Sequence, residues 1–174
     1  MNTWGWVHGL GRNQEKVDID QDFGSFLSRE ARTIRRFLRG KRYDLVVVLR
    51  EEADAAGFSI RQYGLETTAV AERIVAEIRS RGFPIEHRAG ELWLSPQEGI
   101  LSVPRWRLAA MDRMGSLSLP GYARRHVSAV VYTVVTPLAL PLSDRIAMQR
   151  AAVDALSAEH AAASESPAAA PPQS

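Results

Sequence analysis

Residues 66–81 constrain this chain more than any other stretch. Val70, Ile74, Val75 and Ile78 recur at the spacing of one helical face. Arg73 with Glu77, and Glu77 with Arg81, stand four residues apart on the polar side. Gly82 and Pro84 then stop the run, so an amphipathic helix is predicted here. Beyond Gly82 the apolar period changes. Phe83 and Ile85, then Leu92 and Leu94, alternate around Ala89-Gly90, which predicts a tight hairpin with Trp93 on the face opposite the leucines.

The remaining elements arrange themselves around this helix and ribbon. From Asp22 the residues Phe23, Phe26, Leu27, Ala31, Ile34 and Leu38 fall at helical spacing, and Gly40 ends the run. The LVVVL of residues 45–49 reads as a strand, yet the REEADAAG after it has a helical composition, and the two readings compete. A helix is expected around residues 106–114, a strand over 126–136, and a helix over 143–160 capped by Ser143 or Asp144. The expected organisation is an α+β domain over residues 22–160. An extended arm precedes it at 1–21, and a disordered Ala/Pro/Ser tail follows at 161–174.

Composition narrows the class. A chain of 174 residues with 45% hydrophobic content can bury a core. It has no cysteine, which excludes disulfides, thiolate metal sites and thiol nucleophiles. No segment reaches the roughly 20 apolar residues that span a bilayer, and the first residues lack the order of a secretory signal, so a soluble, cytoplasmic protein is expected.

Chemistry-bearing motifs are scarce. Asp18, Asp20 and Asp22 alternate as in a calcium loop, but the glycine and glutamate such a loop needs come one place late, at Gly24 and Glu30. An acidic cap for the following helix is the reading kept. The histidines 8, 87, 126 and 160 are too scattered for a local metal motif. There is no GxSxG, P-loop or GxGxxG, and a pairing such as His126 with Asp112 would have to be assembled in three dimensions. No catalytic residue, metal or cofactor is assigned, and the expected protein is not an enzyme.

Charge is the remaining signal. Residues 29–42 hold seven basic side chains, Arg29, Arg32, Arg35, Arg36, Arg39, Lys41 and Arg42, against the single acid Glu30. Such a face attracts phosphate. Arginine supplies 20 of the 22 basic residues, which an alanine-rich, GC-rich coding bias also explains.

Through Ile74, Ile78-Arg79, Gly82, Ile85, Gly90 and Leu94, residues 50–96 resemble the winged helix-turn-helix module of biotin-dependent repressors. The resemblance implies a first helix in REEADAAGFS, a recognition helix over 66–82 and a wing over 83–96. It also implies DNA as partner. Thr67, Thr68 and Arg73 would then read bases, His87 and Arg88 would sit at the wing, the arginine face would hold phosphates, and a homodimer would match a palindrome. The expected function is a small bacterial or phage transcriptional regulator. Two other readings stay open: an ordinary α-β-β element whose hairpin continues a sheet with residues 127–135, and an adaptor that docks protein partners in a bacterial or phage assembly through its arm and tail.

Overall fold

The computed structural model describes residues 13–87 and 97–165. Within them the chain forms a small α+β domain of five α-helices and a four-stranded mixed sheet. In chain order the elements are α1 (Arg29–Leu38), β1 (Leu45–Glu52), β2 (Ser59–Tyr63), α2 (Ala69–Ser80), β3 (Ile100–Val103), α3 (Arg105–Arg113), α4 (Leu119–His126), β4 (Val130–Pro137) and α5 (Leu142–Glu165). A short 3-10 turn, Ile19–Gln21, precedes α1. The predicted hairpin over 83–96, with Arg88 in it, lies largely outside the described residues, as does most of the expected arm.

The strands lie in the order β1-β4-β2-β3. β1 runs parallel to β4 and β2 parallel to β3, while β2 and β4 pair antiparallel. β4 is the hub. Its residues Val131, Val134 and Val135 are fully buried because helices cover both sides of the sheet. On one side Tyr132, Val134 and Ile60 meet Ile74, Val75 and Ile78 of α2 and Met148, Ala152 and Leu156 of α5. On the other, Val131 and Tyr63 meet Leu108 of α3 and Ala123 of α4, and a smaller cluster of Phe23, Ala31 and Leu117 seats α1 nearby. Alternation along β4 is what sends successive side chains to the two cores.

Several expectations need correction. The REEADAAGFS stretch is no helix: β1 runs through Glu52, a loop follows, and β2 begins at Ser59. Eight consecutive residue pairs with β4 outweigh the local helical composition. A single helix therefore stands where two were needed, and no helix-turn-helix forms among the described residues of 50–96. Ile85 instead forms a parallel bridge with Phe58. The first helix starts at Arg29 rather than near Asp22, because buried Asp22 accepts from the backbone N–H groups of Leu27 and Ser28 at 2.8 and 2.6 Å and holds the preceding chain in a loop. Ser28 then caps the helix, accepting from Ala31 N–H at 3.1 Å. The last helix runs to Glu165, past the expected end at 160.

Candidate functional site

An open groove bordered by charged side chains lies between α2 and α5. Packing of Ile74 and Ile78 onto Met148 and Ala152 fixes the two helices side by side, and charged residues of both helices then border the groove above. One part has a volume of about 350 Å³, over Ile74, Ala151 and Ala155. A second part of about 460 Å³ adjoins it, sharing Arg81, Ala151 and Asp154 and extending to Ser143 and Ile146. Its rim carries both signs of charge. Arg73 of α2 donates through Nε and Nη2 to the two carboxylate oxygens of Glu159 of α5, each at 2.5 Å. Arg81 pairs with Glu77 at 2.8 Å and Arg150 with Asp154 at 3.8 Å. The fork from Arg73 holds the Glu159 carboxyl below the usual carboxylate range, and the same bond raises the arginine. The groove thus presents fixed charges over an apolar floor. Such a surface can hold an extended polar chain, with arginines toward carbonyl oxygens and carboxylates toward N–H groups.

The opposite side of the sheet holds a second polar cluster. Arg61 of β2 donates to both oxygens of Glu52 of β1, at 2.8 and 2.7 Å, and Arg50 approaches the same carboxylate at 3.3 Å while also pairing with Asp20. Tyr63 shares a 3.3 Å hydrogen bond with Thr133, and burial pushes its phenol upward. Sequence reasoning missed this cluster. Its one signal is the alternation of Arg50 and Glu52, which puts both on one face of a strand.

His126 stacks on Tyr122 with 4.8 Å between ring centroids, and partial burial lowers its pKa. Asp112 pulls in the other direction, but its carboxylate is held by Arg125 at 2.8 Å, so the two do not form a proton-transfer pair.

The residues singled out in the sequence do not converge. Arg29, Arg32, Arg35 and Arg36 lie on α1, followed by Arg39, Lys41 and Arg42, and all seven are exposed. Four of them have local partners: Arg32 donates to the Leu27 carbonyl, Arg35 lies 4.4 Å over the Phe26 ring, Lys41 lies 3.5 Å over Phe37, and Arg42 donates to the His126 carbonyl. Thr67, Thr68 and Arg73 sit across the sheet, on the α2 side. There Thr67 accepts from Ala69 N–H, Thr68 donates to Glu72, and Arg73 is taken by Glu159. His87 pairs with Glu98. The α1 face and the start of α2 thus lie on opposite sides of the sheet.

Comparison with solved structures decides the matter of fold. Three crystal structures share the chain trace, each of a protein called a "putative metallopeptidase". The Shewanella denitrificans protein has a TM-score of 0.66 and 13% identity, over 90% of this chain and 57% of its own. The Shewanella amazonensis protein has 0.63 and 16%, over 87% and 58%. The Shewanella baltica protein has 0.62 and 14%, over 89% and 59%. The chain therefore spans less than two thirds of each neighbour. No family model matches it, and no curated protein does.

This likeness replaces the winged-helix resemblance. It also overturns the reading that rested on it, that of a non-enzymatic DNA-binding transcriptional regulator, and gives the adaptor alternative no support. The comparisons support neither DNA nor a protein partner. No described helix is long and apolar enough to cross a membrane. The neighbours' name raises the question of a metal. Among the described residues no three His, Asp or Glu side chains gather as a metal would require. His87 meets Glu98, and Arg79 already shares that carboxylate. The described residues do not fit a metal centre.

Proposed function

We propose a peptidase-like function, with the α2–α5 groove holding an extended polypeptide segment. The observation that carries this reading is the shared trace with the three Shewanella proteins, over 87% to 90% of the chain. The groove supports it chemically. Arg73, Arg81 and Arg150 offer donors and Glu77, Asp154 and Glu159 offer acceptors, a mixture suited to the alternating C=O and N–H groups of a peptide backbone. Ile74, Ala151 and Ile146 offer apolar contact for its side chains.

The test is cleavage of a library of quenched fluorescent peptides by the purified full chain, with divalent zinc or manganese supplied in one arm and a chelator in the other. Turnover above that of heat-inactivated protein is expected, and the two arms report whether the reaction uses a metal. Glu159→Gln should then raise KM more than it changes kcat, as expected for a residue that binds substrate without entering the chemistry. No cleavage of any peptide in either arm would overturn the proposal.

A further inference from the structure

We propose that the outer edge of β1 is an interface with a second copy of this chain, the two β1 strands pairing antiparallel across a two-fold axis through Val47. The proposal is independent of the peptidase-like reading.

β1 ends the sheet, and among the described residues only β4 pairs with it. An edge left open to water is normally short, or interrupted by lysine, proline or a bulge. This one is eight residues long with no proline or bulge, and its charges, Arg50, Glu51 and Glu52, come only after the apolar run Leu45, Val46, Val47, Val48 and Leu49. Leu45 through Val48 are half-buried and Leu49 is 49% exposed. Arg145 anchors the start of α5 to Glu51 of β1 at 2.5 Å, and Leu142 there is 59% exposed.

Charge selects the occupant and the register. A two-fold axis perpendicular to the sheet keeps each residue on its own face, so the axis must pass through a residue rather than between two. With Val47 on the axis, Leu45 faces Leu49 of the second copy, Val46 faces Val48, and Asp44 faces Arg50. All apolar residues then meet apolar residues, and the acid at one end meets the base at the other. Shifting the axis to Val48 sets Asp44 against Glu52 and Leu45 against Glu51. Shifting it to Val46 sets Asp44 against Val48 and Arg50 against Arg42. Like charges directly opposite destabilise a strand pair and opposite charges stabilise it, so the Val47 register is the favoured one.

The absence of cysteine makes this register directly testable. Opposed residues in an antiparallel pair have Cα atoms about 4.5 to 5.5 Å apart, within reach of a disulfide. Val47→Cys should therefore form a disulfide-linked dimer under mild oxidation. Leu49→Cys should not, because its own counterpart lies four residues away along the partner strand. Unmodified protein should sediment at twice 19.3 kDa, and Leu49→Lys should weaken the dimer about tenfold or more while leaving the fold of the monomer intact. A dimer in which the Val47 and Leu49 cysteines link equally slowly would overturn the register and the interface with it. A monomer at every concentration would also overturn the proposal, leaving the edge to a strand from another protein.

Discussion

Gly57 shows how much of this fold hangs on single residues without side chains. A methyl group there would lie 2.2 Å from the carbonyl carbon of Ile85 and 2.5 Å from the nitrogen of Glu86. The approach is close because Phe58 N–H donates to the Pro84 carbonyl at 2.8 Å and Glu86 N–H to the Phe58 carbonyl at 2.9 Å, drawing the chain after α2 onto the start of β2. Both partners of the clash are backbone, so neither can rotate away. Gly57→Ala should lower stability by about 1–3 kcal/mol, read as a lower urea midpoint at unchanged slope. An unchanged midpoint would mean that the crossing has slack the geometry does not show. Gly57 is visible in the sequence as a break, but nothing local says that a distant segment crosses it. The same holds for Gln62, which is 1% exposed and donates to the Thr67 carbonyl at 3.1 Å. A polar residue in the middle of SIRQY reads as turn until its buried partner is known.

Among the elements, those legible in advance are the ones whose reason is local. α2 is legible because its apolar stripe and its Gly82 stop are written within a few turns of chain, and β4 because a run of valines has few other uses. β1 is ambiguous because the strand pairs with residues more than eighty positions later. α4 escapes sequence reasoning altogether: LPGYARRH is poor helix by composition, and it forms because Ser118 caps it, Pro120 fits its first turn and Ala123 packs against the sheet. The groove is legible in part, since the spacing of Arg73, Glu77 and Arg81 puts them on the polar face of a helix, but its other wall on α5 is not. The Arg73–Glu159 fork is the bond that joins those walls. With its folded pKa depressed, Glu159 contributes stability that is present above the ordinary carboxylate pKa and is lost as pH falls through the lowered value. A double-mutant cycle of Arg73→Ala and Glu159→Gln, measured by denaturant unfolding, should therefore show favourable coupling at neutral pH and low salt. The coupling should fade below about pH 4 and at high salt. Coupling unaffected by either would mean that packing of the side-chain stems, not charge, joins the helices.

For the molecule as a whole, the sheet is the one layer that both cores share. β4 pairs with β1 on one side and β2 on the other, and its faces feed the α2–α5 core and the α3–α4 core at once. Neither core can open without removing a wall from β4, so the domain should unfold as one unit although its two cores meet only through the sheet. Amide hydrogen exchange gives the measurement. Amides of residues 131–135 should exchange only by global unfolding, while α1, whose one buried residue is Ala31, should exchange by local opening at lower free energy. Ile78→Ala and Leu108→Ala empty space on opposite sides of the sheet, at residues 0% and 3% exposed. Each should lower the protection of those β4 amides by about 2–5 kcal/mol, and by the same amount as it lowers the stability read by denaturant. If Leu108→Ala instead left β4 protected while releasing α3 and α4, the α3–α4 side would be a separately folding layer, and the shared strand would not couple the two cores.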